Sequence, residues 1–272
     1  MDRPAEAAQR PVVTSSDNAA VKAARKLARP HVLARGDAFL VEGPGPVREA
    51  AGRLRTLFAT PDALARERDT AERARVAGAE VVAVSERVLA TLATTGTPQG
   101  LVGVATLPVA ALDAALGAGT LVVVLAGVGD PGNAGTVVRS ADAAGASAVA
   151  VTAGSVDVRN PKAVRASAGS LFHLPVVEER EWHAVAAACR AAGLQLVAAD
   201  AAGDVLHTEV DLTVPTALVF GNEARGLDRK VAADCDVMAR VPILGRAESL
   251  NLAATVAILA YEAARQRTGA DA

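Results

Sequence analysis

The chain of 272 residues is 51% hydrophobic and 2% aromatic, and its 28 Lys and Arg against 30 Asp and Glu leave a net charge of −2. That length suits one large or two ordinary domains, each with a real core. No uncharged apolar stretch of ~18 residues occurs, so no transmembrane helix is expected. The opening M-D-R-P-A-E-A-A-Q-R-P has no apolar core and does not read as a secretory signal. Cys189 and Cys235 have no partner spacing, which excludes a disulfide scaffold and a cysteine zinc site. His31, His173, His183 and His207 form no metal-ligating pattern. These features describe a cytoplasmic globular protein without metal or membrane segment.

Charge is unevenly spread. Residues 1–107 hold 15 Lys and Arg against 12 Asp and Glu, and residues 108–272 hold 13 against 18. Between Asn18 and Gly36, Lys22, Arg25, Lys26, Arg29 and Arg35 meet no acid. The first four recur at i, i+3, i+4 and i+7, so a helix capped by Ser16 or Asp17 and running to Arg29 gathers them on one face. Such a stripe is either a phosphate contact or a solvated face.

After this helix the strand A-F-L-V-E is followed by G-P-G-P, which opens a helix over Val47–Ala51. R-L-R-T-L-F-A-T reads as a strand and Asp62–Ala77 as one helix. E-V-V-A-V is a strand, Ser85 caps a helix over Glu86–Ala93, and T-T-G-T-P-Q-G leads into the strand L-V-G-V-A-T. Alternating strands and helices make this a small α/β sandwich. P-V-A-A-L-D-A-A-L-G-A-G reads as a linker. The expected division is a disordered tail over 1–12, an α/β domain over 13–107, a linker over 108–119 and a second α/β domain over 120–268.

The second domain opens with T-L-V-V-V-L-A, a continuous run of the kind found in buried parallel strands. A-S-A-V-A-V-T, F-H-L-P-V-V, L-Q-L-V-A-A-D, T-A-L-V-F-G and V-M-A-R-V-P-I follow, mostly separated by helical segments. That pattern predicts a doubly wound parallel sheet. A long alanine-rich helix over Leu250–Arg267 closes the chain.

The chemistry lies in the loops after these strands. Gly127 to Gly132 reads G-V-G-D-P-G, a literal G-x-G-x-x-G, which suggests a Rossmann-type NAD-binding oxidoreductase. Two features count against it: the next strand ends at Thr152 without an acid for a ribose, and Pro131 has no N–H for a pyrophosphate. Three polar, glycine-bearing loops carry more information. They begin with Asn133-Ala134-Gly135-Thr136-Val137-Val138-Arg139, then Gly221-Asn222-Glu223-Ala224-Arg225-Gly226-Leu227, then the stretch from Val241 through Gly245 to Ser249-Leu250-Asn251-Leu252. All follow parallel strands, on the edge where open α/β sheets bind ligands.

In order and spacing these loops resemble the three signature motifs of the SpoU (TrmH) family of RNA ribose 2′-O-methyltransferases, within the SPOUT superfamily. Val241 stands for the family's usual isoleucine, and Pro161 to Gly169 resembles another family segment. F-L-V-E-G-P-G-P-V-R-E-A and T-P-Q-G-L-V-G-V are similar to the family's substrate-binding domain, so the likeness spans residues 15–266. It implies an α/β fold with a deep trefoil knot in the C-terminal parallel sheet. It also implies S-adenosylmethionine as cofactor, a homodimer through the C-terminal domain, and structured RNA as substrate: 23S ribosomal RNA first, tRNA as the alternative.

Carried onto this sequence, the resemblance places the cofactor against Val219, Gly221, Asn222, Ile243, Ser249 and Leu252. It names Arg139, Asn133, Glu223, Ser249 and Asn251 as catalytic. Arginine's pKa above ~12 makes Arg139 a poor base, and gripping phosphate while stabilising the developing oxyanion is the safer role; both stay open. Asn133 either caps its helix or joins the site. Glu223 either orients a partner's Arg139 or a ribose hydroxyl, or caps the helix after Gly226, and one of Ser249 and Asn251 caps the last helix. Lys22, Arg25, Lys26, Arg29 and Arg165 are the expected RNA contacts.

Overall fold

A computed structural model describes residues 11–28, 37–107, 111–117, 119–178 and 181–269. The chain forms two compact units, Met1–Thr106 and Leu107–Ala272. The expected tail over residues 1–12 lies outside the described residues except for Pro11 and Val12.

In the first unit, helix α1 spans Ala19–Lys26, and its cap is Asn18 rather than Ser16 or Asp17, with Oδ1 accepting from Ala20 N at 2.9 Å. Val21 and Ala24 are buried while Lys22, Arg25 and Lys26 are exposed, so the helix turns its basic face outward. Lys22 meets Asp17 at 2.9 Å, one residue beyond the acid-free stretch. Arg29 and Arg35 lie outside the described residues.

Strand β1 (Ala38–Glu42), helix α2 (Pro44–Ala50) and β2 (Leu54–Ala59) follow. The single helix expected over 62–77 is two, α3 (Pro61–Arg66) and α4 (Arg68–Val76), broken at Glu67 with φ −111° and ψ 42°. Tertiary and local contacts hold the break, because the Glu67 carboxylate accepts from Arg48 Nη2 at 3.0 Å and from Thr70 Oγ1 at 3.0 Å. β3 (Glu80–Ala83), α5 (Glu86–Ala90, capped by Ser85) and β4 (Leu101–Thr106) complete a sheet of order β1-β4-β2-β3. Its core includes Leu40, Phe58, Leu89 and Val102. Burial of each such side chain contributes about 1.5–3 kcal/mol.

The second unit begins where a linker was expected. Leu112–Gly117 is instead a helix, α6, whose Ala115 and Leu116 are 3% and 0% exposed and join the core. Small apolar residues, read as linker composition, here allow close packing. Seven strands then form one sheet: β5 (Leu121–Leu125), β6 (Ala148–Val151), β7 (Val176–Glu178), β8 (Gln195–Ala199), β9 (Val205–Leu206), β10 (Thr216–Phe220) and β11 (Val237–Arg240). All pairings in it are parallel. Helices α7 (Pro131–Ala143), α8 (Pro161–Ala166), α9 (Trp182–Ala191), α10 (Arg229–Asp234) and α11 (Leu252–Gly269) connect and flank it. The F-H-L-P-V-V run supplies strand only at its end, because Ser170–Phe172 is a tight 3-10 turn. The two-residue β9 left no pattern to read.

The strand order is β7-β6-β5-β10-β8-β11-β9. From β5 the chain moves outward through β6 and β7, then crosses to β8 and leaves a gap that β10 fills. The C-terminal ends of β5, β10, β8 and β11 therefore stand side by side. Among the described residues no helix is long and apolar enough to cross a membrane. There, too, no group of three or more His, Cys, Asp or Glu is placed to hold a metal ion.

Candidate active site

The loop after β5 contains the G-x-G-x-x-G string, and its N–H groups are already used. Gly127 N and Val128 N donate to Ser155 Oγ at 2.9 and 3.1 Å. Gly129 N and Asp130 N donate to the two carboxylate oxygens of Glu223, each at 3.1 Å. Pro131 has no N–H, so the loop keeps no free row of donors for a pyrophosphate.

Asp130, not Asn133, caps α7: its Oδ1 accepts from Asn133 N at 2.8 Å, and Oδ2 accepts from Lys162 Nζ at 2.7 Å. Asn133 is thereby released for tertiary contacts. Its Nδ2 donates to Glu223 Oε1 at 3.0 Å and its Oδ1 accepts from Asn251 Nδ2 at 3.0 Å. Asn251 in turn caps α11, its Oδ1 accepting from Ala253 N at 2.9 Å. Glu223 does not cap the helix after Gly226, since Asp228 does that by accepting from Lys230 N at 2.8 Å. One residue from each loop is thus joined in the chain Glu223–Asn133–Asn251. Partial burial pushes the Glu223 carboxyl up, but the bonds from Asn133 and the backbone prevail and hold it below the ordinary carboxylate range.

The motif glycines answer to the chain's own packing. A Cβ at Gly135 would lie 2.1 Å from Ala163 O, where α7 crosses α8. At Gly221 it would lie 2.5 Å from Gly226 O, inside the loop closed by the reciprocal backbone bonds between Asn222 and Gly226 at 2.9 Å. Asn222 Nδ2 ties that loop to the one after β5 by donating to Gly127 O at 2.9 Å. Gly221 therefore admits its own backbone rather than only a ligand's.

A cleft of about 440 Å³ opens over β10, β8 and β11, within the usual range for small-molecule sites. Asn133, Gly221, Asn222, Glu223, Ile243, Ser249, Asn251 and Leu252 all line it. Val219 does not: its side chain is 0% exposed within the core, and Phe220, the last residue of β10, is where that strand reaches the cleft. Arg139 also lies off the cleft. It is exposed on α7 six residues beyond Asn133, about 240° further round the helix. Arg165 is half-buried on α8, and the basic face of α1 belongs to the other unit. Sequence reasoning missed Ala199, Asp200 and Ala201, which line the cleft from the end of β8. The acid ending L-Q-L-V-A-A-D was the available signal.

Residues 120–261 match the SpoU rRNA Methylase family and residues 18–103 match the MRM3-like substrate binding domain. Over 249 residues the chain is 31% identical to the 23S rRNA (guanosine(2553)-2'-O)-methyltransferase RlmP of Bacillus subtilis, covering 92% of this chain and 97% of that one. It is similar to the AdoMet-bound rRNA methyltransferase of Sinorhizobium meliloti, with TM-score 0.84 and 34% identity over 94% of this chain and 97% of the other. It is also similar to the SpoU methyltransferase AviRb of Streptomyces viridochromogenes in complex with AdoMet, with TM-score 0.81 and 35% identity over 92% and 98% of the two chains. The chain belongs to the SpoU rRNA methylase family.

Proposed function

We propose that this protein transfers a methyl group from S-adenosylmethionine to the 2′-hydroxyl of a ribose in 23S ribosomal RNA. The observation that carries the reading is the joining of Asn133, Glu223 and Asn251 across three loops at one cleft, in a chain similar over nearly its whole length to 23S rRNA 2′-O-methyltransferases.

The cleft suits the cofactor. Ala239, Val241, Ile243 and Leu252 give it an apolar wall for an adenine, and Asn133, Ser249 and Asn251 give it a polar end. S-adenosylmethionine supplies an electrophilic methyl on its sulfonium. The protein's part is to position the ribose hydroxyl and stabilise the oxygen as its proton passes to solvent water, with S-adenosylhomocysteine as the leaving group. The Glu223–Asn133–Asn251 chain fixes the start of α7 against the loops after β10 and β11, and so fixes the helix that presents Arg139. The Arg139 guanidinium holds the target phosphate and stabilises the developing oxyanion. Arg139 is exposed and does not line its own cleft, which supports a reading in which it serves the cleft of a second copy, the working unit being a homodimer formed through the C-terminal domain.

Lys22, Arg25, Lys26 and Arg29 contact RNA phosphates in this reading, and so does Arg165. The setting is the cytoplasm, and the trefoil knot of the superfamily belongs to the same reading. Calorimetry with S-adenosylmethionine and NAD side by side, followed by methyl transfer to 23S rRNA and to tRNA, tests it. Binding of S-adenosylmethionine with transfer to 23S rRNA is expected. Binding of NAD alone, or transfer to tRNA alone, would overturn the corresponding part.

A further inference from the structure

We infer that Asp200 receives the ribose hydroxyls of the cofactor, and so selects for an intact ribose diol. The inference deepens the cofactor reading and rests on it. Asp200 follows β8, which lies between β10 and β11 in the sheet. The loop after β10 brings Asn222 and Glu223 to the polar end of the cleft, and β11 with its loop brings Ala239, Val241 and Ile243 to the apolar wall. A ligand with adenine at that wall and sulfonium at the polar end lays its ribose across the strand between them. Asp200 stands there.

Its backbone is fixed on both sides, with Asp200 N donating to Ala239 O at 2.9 Å and Gly203 N donating to Asp200 O at 3.1 Å. Oδ1 accepts from Ala202 N at 2.8 Å, which locks the side chain. Oδ2 has no partner among the described residues and lies 3.9 Å from where a Cβ on Gly226 would stand, and both residues line the cleft. The cleft's other carboxylate, Glu223, spends both oxygens on Gly129, Asp130 and Asn133. Asp200 therefore offers the uncommitted acceptor, rigid and half-buried, and a carboxylate bonds a vicinal diol well.

The test is calorimetry with S-adenosylhomocysteine, its 2′-deoxy and 3′-deoxy analogues, and 5′-methylthioadenosine, which keeps the ribose and lacks the amino-acid end. Wild type should bind the parent about tenfold to a hundredfold more tightly than the deoxy analogue whose hydroxyl meets Oδ2. Asp200→Ala should bind parent and deoxy forms alike, and Asp200→Asn, which keeps the Ala202 turn bond, should fall between. Methylthioadenosine should weaken in step with the parent. An unchanged deoxy penalty in both variants would overturn the inference while leaving the cofactor reading intact. Loss of affinity for the parent with methylthioadenosine unaffected would overturn it in favour of a contact to the ammonium. A wild type that binds none of the four would overturn the cofactor reading and this inference together.

Discussion

The side-chain amide of Asn133 donates to Glu223 Oε1 at 3.0 Å, and this bond ties the loop after β10 to the helix after β5. The same carboxylate holds Gly129 N and Asp130 N, so one residue sets both the approach to α7 and its first turn. Glu223→Ala should lower methyl transfer by about a hundredfold through misplaced geometry, at a stability cost of only about 1 kcal/mol because the freed groups reach water. Single-turnover assays and urea unfolding measure the two effects; full activity would remove Glu223 from its positioning role.

Gly135→Ala reverses an ordinary expectation. In an exposed helix interior that change stabilises by about 1 kcal/mol. Here the new Cβ would lie 2.1 Å from Ala163 O, and backbone cannot yield as a side-chain tip can. A loss of about 3 kcal/mol or more is predicted from overpacking. Urea unfolding decides it, and a variant more stable than wild type would refute the close crossing of α7 and α8.

How much could be read from the sequence follows from where each feature is encoded. The runs at β5 and β10 announced buried parallel strands because all five residues of each are buried. The helix Leu112–Gly117 was hidden by its small residues, and the break at Glu67 depends on Arg48, which lies 19 positions away. The three loops could be found as strings, but the cap on α7 could not be assigned. Asp130 and Asn133 both suit a cap, and only the placement of Glu223, 90 positions on, shows which is free. Asp200 was missed because its place between the two ends of the cleft comes from the strand order β10-β8-β11. No local pattern states that order.

Glu262 gives a pH signature. Arg265 above all, with Gln266, holds its carboxyl down to about 2 against a partial burial that pushes it up. A folded value below the ordinary 4.5 means the bonds stabilise the fold above that range. The contribution is lost as pH falls from there through about 2. Glu262→Gln should therefore cost about 1–2 kcal/mol near neutrality, and the difference from wild type should shrink across that window. Denaturant unfolding at a series of pH values checks this, and a gap independent of pH would contradict it.

The basic face of α1 is tested by salt. Lys22 is paired with Asp17 at 2.9 Å, so Arg25 and Lys26 are the better pair to remove. Arg25→Ala/Lys26→Ala should weaken RNA binding and flatten its salt dependence, by roughly 0.7–0.9 log–log units for each phosphate that is no longer neutralised. Cofactor affinity should stay unchanged. An unaltered slope would make this face merely solvated.

The reaction itself is tested most directly by the position of the transferred methyl. Purified protein is incubated with methyl-labelled S-adenosylmethionine and unmodified 23S rRNA, the RNA is digested to nucleosides, and the label is identified by mass spectrometry, with Arg139→Ala in parallel. One labelled 2′-O-methylnucleoside is expected from wild type and none from Arg139→Ala, with cofactor binding retained by both. Label on a base, or undiminished ribose methylation by Arg139→Ala, would contradict the proposed reaction.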